Sequence, residues 1–136
     1  MSKRISAALL STVAAVGLGL TLAAPANAAD RDGACNTGEL CYYFNSNFGG
    51  SLSDFYGNDP NLVDDAFLSS GNGQGQSVKN NAAGAKNIDP SHNVTVWYNR
   101  DYNFGTYSGR SDTLPANSQD GVFDNVYNQN ASHSWW

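Results

Sequence analysis

The chain has 136 residues, with 7 Lys or Arg against 12 Asp or Glu and a formal net charge of −5. No cluster of Lys or Arg offsets that charge, so a nucleic-acid backbone is excluded as the expected partner. A single small domain is the expectation for this length, and only one segment is apolar and long enough to engage a bilayer.

That segment comes first. Lys3 and Arg4 precede an apolar run from Ile5 to Ala24, and Ala26 and Ala28 give the small-x-small pattern of a secretory cleavage site. Ser11, Thr12, Gly17, Gly19 and Thr21 interrupt the run, which favours a signal peptide over a membrane anchor. Residues 1–28 are therefore read as a signal peptide and 29–136 as the domain. The product is expected to be secreted, free of the membrane and monomeric, with five Lys or Arg against 12 acidic residues.

From Ala29 on, the chain carries all of its 3 Trp, 7 Tyr and 6 Phe, while Leu, Ile and Met are sparse, so aromatic rings must supply much of the core. Twelve glycines and 16 asparagines supply turns with positive φ. No stretch holds an apolar period near 3.6, whereas Val94-Thr95-Val96-Trp97-Tyr98 is a β-branched and aromatic run of the kind strands favour. The class is all-β. Strands are expected near Leu40–Phe44, Ser51–Tyr56, Ser77–Asn81, Ala85–Ile88, Val94–Tyr98, Thr106–Ser108, Asp124–Asn128 and Ser132–Trp136, about eight in all.

Cys35 and Cys41 are the only cysteines, and in an oxidising compartment they are expected to pair and pin the N-terminal segment to the first strand. A structural zinc site needs about four ligands, and His92 and His133 lie far from these cysteines in sequence. The two halves echo one another. Tyr43 to Gly50 matches Tyr98 to Gly105, and Gln76-Ser77-Val78-Lys79-Asn80 matches Asp124-Asn125-Val126-Tyr127-Asn128, in the same order. This points to two four-stranded Greek keys, about 35–90 and 91–136, packed as a sandwich with a shared aromatic core.

Tyr43-x4-Phe48-x-Gly50 resembles the aromatic corner of βγ-crystallin-type domains, in which a glycine adopts a conformation closed to residues with a Cβ. With the export signal, Cys-x5-Cys and the Ser-Val-Lys-Asn-Asn run, the ordered set is similar to the secreted peptidase-inhibitor family of actinobacteria, whose founding type blocks metalloproteinases. The resemblance implies a non-catalytic protein that docks a loop into a protease cleft and needs no cofactor. In the second corner Tyr98 and Gly105 keep their spacing, but position 103 is Asn and the aromatics are Tyr102 and Phe104. The inhibitory type also holds its loop with a second disulfide, for which this chain has no cysteines.

If the chain carries an inhibitory loop, it is expected at the second corner, through Arg100, Asp101, Tyr102 and Phe104, where two aromatics and an arginine could form a hot spot. The favoured expectation is that Tyr102 and Phe104 plug the second key's core, with Arg100 and Asp101 as a solvated turn. Leu62–Leu68, acidic and apolar together, is either a contact surface or a short helix over the open end of the sandwich, and Asp64-Asp65 reads as a solvated turn. A second function class is calcium binding, which the crystallin-type resemblance implies through Asn72 and Gln76 in one key and Asp120 and Asp124 in the other. A third is cell-wall or sugar binding on Trp135 and Trp136. No nucleophile-base pair, His-Glu-x-x-His or phosphate-cradling glycine loop signals an enzyme.

Overall fold

The computed structural model describes residues 30–104 and 109–136. The expected signal peptide, the strand expected at Thr106–Ser108 and Gly105 of the second corner lie outside the described residues. Seven strands are formed among the described residues: β1 Leu40–Asn45, β2 Gly49–Phe55, β3 Gly84–Asn87, β4 Val94–Trp97, β5 Ser111–Leu114, β6 Ser118–Asp120 and β7 Ser132–Trp135. They make two antiparallel sheets, ordered β2-β1-β3-β6 and β5-β4-β7.

The duplication governs the topology. β1 pairs with β2 and β3 in the first half, as β4 pairs with β5 and β7 in the second. The remaining member of each half crosses over. β6 joins the first sheet beside β3, and Asp59 makes an isolated bridge to His133 on β7. Each Greek key thus completes the other's sheet, and neither can bury its apolar face alone.

Tyr42 lies at the centre of the shared core. It meets Phe55 edge-on at 5.6 Å between ring centroids and His133 at 5.7 Å. Leu40, Leu62, Phe67, Val78, Val94, Val96, Leu114, Phe123 and Val126 fill the space around it. Aromatic rings thus replace the missing aliphatic bulk, and such edge-to-face pairs add about 0.5–1.5 kcal/mol each beyond area burial.

The first corner forms as its sequence predicts. Phe48 packs edge-on against Tyr43 at 5.4 Å, and Gly50 sits at φ +73, where a Cβ would come within 2.9 Å of the Asn72 carbonyl. Cys35 and Cys41 are disulfide-bonded with Cα atoms 5.8 Å apart.

Four expectations are corrected. Ser77–Asn81 and Asp124–Asn128 form no strands, Ser77 making only an isolated bridge to Ala66 before the chain turns, while β5 and β6 occupy stretches with no strong strand pattern. The turns are nonetheless the repeat that the sequence shows. Val78 and Val126 are both buried, and Asn80 and Asn128 are both left-handed, at φ 62 and 51. Asn80 N–H donates to Asn130 O, and Asn128 N–H donates to Ala82 O. Asparagine tolerates this conformation and so closes a turn where the apolar pattern alone reads as a strand.

The long connection holds no helix: Leu62 and Phe67 are core residues, and the chain doubles back through Phe67 N–H to Gln76 O and Gly75 N–H to Phe67 O. Asp65 is no solvated residue either, since it pairs with Arg31.

Candidate functional site

The second corner shares two left-handed residues with the first, Tyr102 and Asn103 at φ 60 and 59 against Asn47 and Phe48 at 55 and 62, and adds a third at Asp101, φ 54. For a bulky residue such as Tyr102 this conformation costs on the order of 1–2 kcal/mol. Asn103 stands where the first corner has Phe48. Its side chain accepts from Asn99 N–H at 2.8 Å and donates to Arg110 O at 3.2 Å, so an amide closes the turn in place of an aromatic ring. The aromatic displaced by one position, Phe104, is 91% exposed.

The reading in which Phe104 plugs the second core is therefore overturned, because the place for the ring is already taken by Asn103. Tyr102 is only partly covered, and the burial it has, with the charges of Asp59 and Asp101, holds its hydroxyl above the usual tyrosine range.

The strained turn is braced from beneath. Buried Ser132 on β7 donates its hydroxyl to Asn99 O at 2.7 Å and accepts from Tyr102 N–H at 3.1 Å, tying both sides of the loop to one strand. Asp101 N–H donates to Pro60 O, and Phe104 N–H donates to Asp101 O. Arg100 pairs with Asp101 at 2.8 Å on the exposed side. Hydrogen bonds thus fix the backbone where the family resemblance leads one to look for a second disulfide. What this arrangement presents to solvent is one large apolar side chain on a preorganised turn, with a cation at its base.

The calcium candidates lie in the long connection and at and after the end of β6. Asn72 lies against the first corner, where its carbonyl accepts from Ser51 N–H at 2.9 Å, and Gln76 is in the long connection. Asp120 ends β6 and accepts from Val122 N–H at 3.0 Å, while Asp124 follows it in an exposed turn. Burial, followed by the charges of Asp112 and Asp124, raises the Asp120 carboxyl above its ordinary value. Among the described residues no group of three or more His, Cys, Asp or Glu is arranged to hold a metal ion.

Trp135 is half-buried, with its indole N–H on Gly57 O, and Trp136 is 65% exposed, with its indole N–H on Thr95 Oγ1.

A buried polar cluster beneath the core was not foreseeable. His133 is fully buried, and its Nε2 bonds Gly57 O at 2.9 Å. Desolvation lowers it to about 4. Asp65, drawn up to about 7 by burial and by a hydrogen bond with Asp59, faces Arg31, whose attraction only partly offsets that rise. Arg31 in turn stacks on Phe55 at 4.3 Å. These residues are far apart in sequence, and His133 joins them where Asp59 bridges from the first key to the second sheet.

Comparison with known proteins agrees with this architecture. A solved chain from work on the evolution of the eye lens βγ-crystallin domain fold superposes with a TM-score of 0.59 at 17% identity, over 76% of this chain and 90% of that one. At that identity the likeness establishes the fold. No curated protein matches the sequence. The family model described as peptidase inhibitor family I36 matches residues 28–114, well over half of the chain and through the whole second corner. With the Greek-key pair and corner geometry in place, the chain belongs to peptidase inhibitor family I36 and is a non-catalytic member of an inhibitor family.

Proposed function

We propose that the protein is secreted and inhibits an extracellular protease by inserting the second corner, residues 99–104, into the protease cleft with Phe104 as the anchor. The observation that carries this reading is the 91% exposure of Phe104 on a turn whose preceding backbone is held by hydrogen bonds. A solvated apolar ring on a hydrogen-bonded turn has less ordering entropy to lose on docking and much apolar area to bury. Family membership and the export pattern of residues 1–28 support the same reading. Arg100, paired on its own loop with Asp101, lies at the rim, where it steers encounter more than it adds affinity.

The test is a titration of the protein, purified from the medium of a secreting host, against a thermolysin-like metalloprotease and a subtilisin-like serine protease. Stoichiometric loss of activity with one of them is expected, and full activity of both at micromolar inhibitor would sink the reading. An intracellular product that keeps residues 1–28 would sink the secretion part alone.

A further inference from the structure

Beside the base of the second corner lies an open groove of about 340 Å³, lined in part by Lys79, Asn80, Tyr98, Arg100, Asn128 and Gln129. Its charge is at odds with the rest of the molecule. The described residues hold five Lys or Arg, namely Arg31, Lys79, Lys86, Arg100 and Arg110. Two of them line the groove, and a third stands at its edge, because Arg110 stacks on Tyr98 at 4.2 Å and donates to Gln129 Oε1 at 2.7 Å. No Asp or Glu is among the lining residues, in a chain with 12 acidic side chains. Lys79 forms no ion pair among the described residues, whereas Arg100 is paired through its Nε with Asp101 at 2.8 Å.

The remaining lining is amide-rich, and the repeat explains why. Asn80 and Asn128 occupy equivalent left-handed turns of the two keys, and both line the groove. The cations break that symmetry. The counterpart of Lys79 in the second key is Tyr127, whose hydroxyl lies 3.4 Å from Ser46 Oγ on the first corner. One key therefore sets a tyrosine on the neighbouring corner at this position, and the other sets a cation in a groove.

We propose that this groove binds a small carboxylated and hydroxylated ligand of the uronic-acid class, with the carboxylate between Lys79 and Arg100 and the ring hydroxyls on the amides of Asn80, Asn128 and Gln129. Side-chain amides both donate and accept, which matches hydroxyl groups that do the same. A bare phosphate is a poorer match, since it offers no hydroxyl-bearing ring to the acceptor oxygens of the amides. The volume is near the lower end of the roughly 300–1,000 Å³ usual for ligand pockets, which suits one sugar ring better than a chain. Arg110, held by a ring face and an amide, keeps the electropositive side preformed. The groove shares Asn99 and Arg100 with the second corner, so it adjoins the proposed protease contact, and its ligand binding is read with no protease present.

The test is NMR titration of the isotope-labelled protein with sodium D-glucuronate, D-glucose and sodium acetate in separate arms. Glucuronate is expected to shift signals at residues 79–80, 98–100 and 128–131 and to saturate with a Kd of about 1 mM. Glucose and acetate should each bind at least about tenfold more weakly, since each lacks about 1.4 kcal/mol or more of the contacts. Lys79→Gln should lose glucuronate binding with an unchanged melting curve. Asn80→Gly, which keeps the left-handed backbone and removes only the amide, should weaken it. Absence of glucuronate shifts, acetate binding as tight as glucuronate, or full binding by Lys79→Gln would each overturn the proposal, whatever the protease titration shows.

Discussion

Replacing Phe104 by Ala separates a binding residue from a folding residue more cleanly than any other change in this molecule. A buried Phe removes on the order of 150–250 Å² from water. Because Phe104 is 91% exposed, nearly all of that area is still available to a partner. At about 25 cal/mol per Å² the ceiling is roughly 4–6 kcal/mol. Immobilising the side chain and burying it incompletely reduce the cost of truncation to about 2–4 kcal/mol. The inhibition constant against a sensitive protease should therefore rise about 30- to 1,000-fold.

Stability should move by no more than about 0.5 kcal/mol, as for other exposed positions. Paired assays read both quantities: residual protease activity against inhibitor concentration, and a urea unfolding curve for each protein. An inhibition constant within about threefold of wild type, with an unchanged unfolding midpoint, would refute the anchor role.

Ser132→Ala removes a buried hydroxyl that serves two loop backbone groups, so it should cost about 1–3 kcal/mol of stability. It should also weaken inhibition about tenfold, with faster hydrogen exchange at the Tyr102 amide; unchanged exchange there would dissociate Ser132 from the loop. Changing Cys35 and Cys41 to Ser should lower stability by roughly 2 to 2.5 kcal/mol, as loop entropy gives for so short a ring, and leave inhibition by the folded fraction intact. Activity lost from a fully folded variant would show that the staple faces the protease.

One buried and one partly buried group set opposing pH dependences. His133, neutral in the fold with a value of about 4 against 6.5, contributes stability above pH 6.5 that is lost as pH falls to 4. Asp65, at about 7 against 3.8, contributes stability below pH 3.8 that is lost as pH rises to 7. Their slopes oppose one another between pH 4 and 6.5, so Asp65→Asn should make urea midpoints climb with pH across that window relative to wild type. Parallel wild-type and variant profiles would refute the assignment.

The peculiarities of the second corner trace to a single offset in the sequence. In the first key an aromatic occupies the place beneath the turn, and the glycine two positions on lets the hairpin fold back. In the second key Asn103 fills that place by hydrogen bonding, which releases Phe104 to the surface. A duplicated fold thus uses one copy of a motif to hold itself together and leaves the other copy free to present a side chain.

Local sequence was sufficient to determine the all-β class, the cysteine pair, the first corner and the duplication, because each rests on short-range chemistry: alternation, a ring of seven residues, or a glycine where a Cβ does not fit. It also marked the second corner as the irregular one. It misassigned Ser77–Asn81 and Asp124–Asn128, since a buried valine beside polar neighbours looks the same in a turn as in a strand. Whether Phe104 faces the core or the solvent depends on what else competes for the place beneath the turn, and only the packed structure settles that competition. The cationic groove and the Arg31, Asp65 and His133 cluster were equally illegible, for a physical reason. Both are assembled by contacts across the two keys, where strands exchange between sheets and residues tens of positions apart become neighbours.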